Sequence, residues 1–205
     1  MPRLRALFPT LVYQAPLHRA GAALNRRILR QCEQIQHDDT AGQRWSKRHY
    51  PGGYTSYNSV AHLHQASEHF AELERRVRRH VRLFAARLGL DLEGRALSMT
   101  DCWINIMPRG VVHGLHLHPH ATISGTYYVR TPRGCAGLKF EDPRLDRFMA
   151  APPRRSDCRA ALQPWVTLPA RAGTIVLFES WLRHEVPPNL THPPRVSVSF
   201  NYHWR

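Results

Sequence analysis

Four histidines crowd into the short stretch "HGLHLHPH": His113, His116, His118 and His120. Neutral imidazole suits a divalent transition metal, and two imidazoles two residues apart on a strand point to the same face. His116, His118 and His120 share that spacing, but Pro119 interrupts strand pairing before the third, so His116 and His118 are the expected pair. Two donors hold a metal weakly, and a third must come from elsewhere. The segment "AGTIVLFESWLRHEVPPN" offers His184, delivered by a turn after an apolar strand. Further on, "RVSVSFNYHW" alternates strictly, with Arg195, Ser197, Ser199 and Asn201 on one face and Val196, Val198, Phe200 and Tyr202 on the other. Such a strand lines a site with its polar face and packs on a core with its apolar one. Among 14 histidines, a lone His-x-His is a common coincidence; joined to a distant histidine and an Arg-x-Ser pair, it reads as a metal site. A histidine binds metal only when neutral, so affinity is expected to fall as pH drops through the ordinary imidazole range near ~6.5.

The elements that must position these groups fall in two parts. Up to about residue 95 the pattern is helical. One helix is expected over about 18–36, and a second, long one over 62–90, where Phe70, Leu73, Val77, Val81, Phe84 and Leu88 make an apolar stripe and Gly89 a stop. Between them "RHYPGGYTSYNSV" reads as an ordered loop. From about 96 to 205 come short strands, "LSMTDCWINIM", "TISGTYYVR", "GLKFED", "GTIVLFES" and "RVSVSFNYHW", with a long loop over 143–164 that is suited to act as a lid. Helices followed by antiparallel strands suggest an α+β chain, mainly β, in which N-terminal helices brace a sandwich or barrel. At 205 residues a single domain is expected, with a core large enough to need no disulfides.

The formal charge of +14 is almost wholly arginine, Lys47 and Lys139 being the only lysines. That surplus invites a polyanionic partner, yet an acidic small molecule needs only one or two arginines. A small-molecule or peptide substrate is therefore expected in preference to nucleic acid, and a homodimer is left open. Cys32, Cys102, Cys135 and Cys158 form no Cys-x-x-Cys pair, so nothing supports a zinc-ribbon or thioredoxin-type site. No apolar run approaches a membrane span and the start lacks a signal-peptide core, so a soluble, cytoplasmic protein is expected.

The blocks "HLHPHATISGTYYVRTP", "GLKFEDPR" and "GTIVLFESWLRHEVPPNLTHPPRVSVSFN", with "LFPTLVY" and "GGYTSY", resemble a small bacterial branch of the iron(II)- and 2-oxoglutarate-dependent oxygenases. The resemblance implies a double-stranded β-helix, a cupin-like jelly-roll barrel, with Fe(II) at its mouth and 2-oxoglutarate and O2 as cosubstrates. It implies a dioxygenase that hydroxylates its substrate with release of succinate and CO2. On the matching motif, His116 and His184 take the places of the two histidine ligands and His118 that of the usual carboxylate. This departure leaves either a three-histidine site or an anion supplied by Glu141, Asp142 or Glu185. Arg195 matches the residue that binds the distal carboxylate of 2-oxoglutarate, with Ser197 beside it. Tyr127 or Tyr128 is placed to add a hydrogen bond, Asn105 is placed at the pocket and Trp181 at its mouth. The alternatives are a cupin-type three-histidine dioxygenase without 2-oxoglutarate, for which no glutamate follows the His-x-His, and a non-catalytic metal-binding jelly roll.

Overall fold

The structure, a computed structural model, describes residues 2–17 and 23–204. Its strands are β1 (Val12–Pro16), β2 (Tyr54–Thr55), β3 (Leu97–Met107), β4 (His113–His116) and β5 (Ile123–Arg130), followed by β6 (Leu138–Glu141), β7 (Trp165–Leu168), β8 (Thr174–Glu179), β9 (His184–Val186) and β10 (Arg195–Trp204). They form two antiparallel sheets, a six-stranded one ordered β1-β8-β5-β10-β3-β2 and a four-stranded one ordered β4-β9-β6-β7. This is the double-stranded β-helix expected from the motifs. The helices are α1 (Ala23–Asp38), α2 (Thr40–His49), α3 (Leu63–Ala66) and α4 (Glu68–Leu88).

The large sheet is buried on both faces, and the strand alternation sorts its residues. Ile123 and Tyr127 of β5, Ile175 and Leu177 of β8, Val196, Val198, Phe200 and Tyr202 of β10, and Cys102, Ile104 and Ile106 of β3 join the core shared with the helices. Leu24, Ile28 and Cys32 of α1 and Phe70, Leu73, Val77, Val81 and Phe84 of α4 are their partners, the spacing of three and four that the sequence displays. Burying one such large side chain contributes about 1.5–3 kcal/mol, so this outer core fixes the sheet. A second, smaller core lies between the sheets and includes Tyr50, Met107, Tyr128, Phe140, Val176 and Phe178.

Several expectations are corrected. The N-terminal part is not purely helical, because β1 and β2 are the two edge strands of the large sheet. Residues 18–22 of the first expected helix lie outside the described residues; its remainder is α1. Immediately after it comes α2, which the sequence reading missed; Asp39 caps it by accepting from the Gly42 amide at 2.8 Å. The long second helix is split at Ser67, whose backbone is extended (φ −145°, ψ 132°), while Gly89 stops α4 in the left-handed region as expected. The short strands β4, β7 and β9 carry too few residues for a periodic signal. Residues 143–164 form a loop with two short 3-10 turns.

Gly125 shows how tightly the central strands fit. A Cβ there would stand 2.6 Å from Phe200, 2.7 Å from Leu177 and 2.7 Å from the Val176 carbonyl oxygen. Gly125→Ala is expected to lower unfolding free energy by about 1–3 kcal/mol, as overpacking does, measured by urea denaturation of the two proteins side by side.

Candidate active site

The strands that position the histidines belong to the small sheet. In it β4 pairs with β9 so that His116 and His184 stand directly opposite each other. His118 is not on that strand: β4 ends at His116, and the chain turns at Pro119, which has no N–H to donate. The His118 amide donates instead to the Ser180 carbonyl at 2.9 Å, which returns its side chain to the cluster. One ligand atom from each of His116, His118 and His184 lies within 4.8 Å of the others, a geometry that one metal ion can bridge. The ring centroids are 4.3 Å apart for His116 and His184, 5.2 Å for His116 and His118, and 5.3 Å for His118 and His184, whose planes are parallel within 4°.

Backbone carbonyls set the ring orientation. His116 Nδ1 lies 2.7 Å from the Gly114 oxygen and His184 Nδ1 lies 2.9 Å from the Leu182 oxygen. A carbonyl only accepts, so Nδ1 carries the proton in both rings and Nε2 is left with its lone pair for a metal. Burial depresses all three imidazoles, His118 to about 4 and His184 to about 2, and neighbouring histidines add to the effect at His118 and His184. The cluster is therefore held neutral and ready to ligate.

His120 is exposed and outside this group. His113 is nearer than the sequence reading allowed: it stacks on His116 at 4.5 Å, lies 5.3 Å from the Tyr50 ring and lines the same cavity. The three acids considered as replacements for His118 are engaged elsewhere. Glu141 pairs with Arg183 at 2.9 Å, Asp142 with Arg144 at 2.8 Å, and Glu185 with Lys139 at 2.8 Å. Among the described residues, no carboxylate lines the cavity.

Deeper in the same cavity stands Arg195, 2% exposed. Its Nη1 donates to Ser197 Oγ at 3.0 Å and approaches Met107 Sδ at 3.4 Å, and the guanidinium lies 5.1 Å from the centre of the Tyr128 ring. Nε has no partner, and no acid among the described residues pairs with it. The hydroxyls of Tyr50 and Tyr128 and Oδ1 of Asn105 are likewise buried without partners. Asn105 lines the cavity, and its amide donates to Ser199 Oγ at 3.0 Å.

Two expected residues lie elsewhere. Tyr127 points to the helical side, where its hydroxyl donates to Asn25 Oδ1 at 2.6 Å; Tyr128, one residue on, faces Arg195, because successive side chains on β5 alternate. Trp181 is 47% exposed and lines an outer depression with Pro119 and His120 instead of the histidine cavity. No residue of 143–164 reaches that cavity, so the loop is not a lid over it here. Trp103, two residues before Asn105 on the inward face of β3, was legible from the same alternation. Tyr50, in a Pro-Gly turn, carried no such signal.

Residues 101–201 match the model of a family described as "Putative 2OG-Fe(II) oxygenase". No curated protein sequence matches the chain. Among solved structures, the epimerase SnoN in complex with Fe3+, alpha ketoglutarate and nogalamycin RO has a TM-score of 0.62 at 17% identity, covering 95% of this chain and 79% of that one. HygX from Streptomyces hygroscopicus, with nickel, 2-oxoglutarate and hygromycin B bound, has a TM-score of 0.62 at 15% identity over 95% and 83%. A Pseudomonas putida prolyl-4-hydroxylase has a TM-score of 0.58 at 16% identity over 96% and 94%. At such identities the likeness is one of fold, and the family match rests on residues 101–201, which run from β3 into β10. Over those residues, just under half of its length, this chain is similar to the 2-oxoglutarate- and Fe(II)-dependent oxygenase family.

Proposed function

We propose that the chain is an Fe(II)- and 2-oxoglutarate-dependent dioxygenase that hydroxylates a small-molecule or peptide substrate at a C–H bond, with release of succinate and CO2. The observation that carries this reading is the pairing, in one cavity, of three neutral histidines with a buried arginine that has no counter-charge. A buried cation costs several kcal/mol unless an anion neutralises it, so the cavity is built to receive a carboxylate from outside the chain. The donor set fits the family's cofactors.

His116, His118 and His184 would hold iron through nitrogens that burial keeps unprotonated. Arg195 would hold the distal carboxylate of 2-oxoglutarate by charge-assisted hydrogen bonds, with Ser197 and the unpartnered hydroxyl of Tyr128 beside it. When bound, iron, 2-oxoglutarate and dioxygen together supply the oxidant. The chain orients them and excludes water, since the site lies between two packed sheets. The helices and barrel act as one domain on this reading, since β1 and β2 complete the barrel's sheet.

Three outcomes test the reading. Arg195→Lys replaces a two-pronged clamp by a point charge and is expected to weaken 2-oxoglutarate by roughly ten- to a hundredfold while iron stays bound, read by calorimetry on anaerobic protein. Unchanged affinity would move the carboxylate site elsewhere. His118→Ala should lower iron affinity markedly, whereas Glu141→Ala, Asp142→Ala, Glu185→Ala and His120→Ala should leave it nearly unchanged; the reverse pattern would replace the three-histidine assignment.

The third outcome concerns acid. The folded-state pKa values of His118 and His184 lie below the ordinary value of 6.5, so between those values the unfolded chain binds protons that the folded one does not. Stability of the metal-free protein is thus fully present above pH 6.5 and is lost as pH falls toward 4 and below. Proton competition with iron also sets in lower than the sequence alone suggests, so iron affinity should stay nearly level through pH 6.5. Denaturation and iron titration at a series of pH values check both; an affinity that falls steeply through 6.5 would contradict the burial argument.

A further inference from the structure

A second concavity lies on the outer side of the rim that carries His118. It is lined by Pro119, His120, Glu179, Trp181, His203 and Trp204, among others. Its two edges are tied together by the His118 amide on the Ser180 carbonyl, so His118 faces the histidine cluster while Pro119 faces this depression. Trp181 offers its indole to solvent, being 47% exposed.

Glu179 is the unusual member. The chain has 15 acidic residues against 29 arginines and lysines, and every other described carboxylate has a hydrogen bond or an ion pair. Glu179 has neither, although it is half-buried and fixed at the end of β8, where the Leu182 amide closes a turn on its backbone oxygen at 2.9 Å. A carboxylate left unpartnered beside the exposed indole of Trp181, on so basic a protein, is complementary to a positive charge brought by a ligand. The surface already uses an indole in that way: the Arg95 guanidinium sits 4.7 Å from the centre of the Trp204 ring, its own charge met by Glu93 at 2.9 Å.

We propose that this depression is a recognition site for the ammonium group of a small-molecule amine, held by Glu179 and the face of Trp181. On the function proposed above, that molecule is the substrate, anchored by its cationic end outside the rim while its reacting carbon reaches the histidine cavity. A small molecule is favoured over a lysine-rich chain, because a surface of +14 repels a polycation whereas a single ammonium responds to the local field at Glu179.

The probes are choline and its neutral carbon analogue 3,3-dimethylbutanol, titrated into protein loaded with Ni(II) and 2-oxoglutarate and followed through the tryptophan indole N–H signals. Choline should shift the Trp181 signal and bind about tenfold more tightly than the neutral analogue. Glu179→Gln, which keeps shape and removes charge, should abolish that preference, and Trp181→Ala should weaken choline by a similar factor; both should bind Ni(II) and 2-oxoglutarate as the parent does. No preference for choline in the parent, or a preference that survives Glu179→Gln, overturns the proposal. So does a short lysine peptide that binds more than tenfold tighter than choline. Failure of 2-oxoglutarate to bind the parent would instead overturn the oxygenase reading, and the same choline comparison on protein without 2-oxoglutarate then tests the depression by itself.

Discussion

A guanidinium folded into the middle of a barrel with no acid beside it is the constraint to which the rest of this structure answers. Arg195 cannot discharge itself by losing a proton, as a buried lysine can, so its charge is permanent and must be endured by the apo fold. Partial compensation comes from the Ser197 hydroxyl and the π face of Tyr128, both soft and neutral. The remaining cost falls on the outer core, where the helices seal the opposite face of the same strands. A site of this kind is affordable only because the sheet that carries it is clamped from behind.

The histidines illustrate a complementary economy. Their neutrality comes from burial beside one another, and their orientation from two carbonyls of the local backbone, so no carboxylate is needed to fix either. On the proposed reading, the counter-charge comes with the ligands: the two carboxylates of the cosubstrate offset two of the three positive charges that a divalent ion and Arg195 would bring together. The chain supplies one fixed positive charge and a set of lone pairs, and the anions arrive from outside.

The parts of this arrangement that were legible in the sequence are those with a period. The alternation in "RVSVSFNYHW" separates Arg195, Ser197 and Ser199 from the outer core as the structure does, and the stripe from Phe70 to Phe84 marks the face of α4 that packs on the sheet. What escaped is where period fails. Tyr50 and the small strands β4 and β9 are placed by turns and by long-range pairing, which leave no repeating trace over three or four residues. Tyr127 and Tyr128 differ by a single step along β5, and deciding which one faces the arginine requires the strand's phase as well as its existence. His118 gives the same lesson from the other side: the His-x-His spacing suggested a shared strand, whereas Pro119 ends the pairing and a backbone hydrogen bond brings the ring back.

The large sheet has two apolar or polar identities, one per face, and they are nearly independent. Val196, Val198 and Phe200 look toward the helices while Arg195, Ser197 and Ser199 look into the cavity, so neighbouring positions in one strand answer to different selection. The inward set can be rewritten, residue by residue, without removing a side chain from the core that holds the strands in place. A scaffold divided in this way accumulates new chemistry on one side of a single layer of backbone while its folding is guarded on the other.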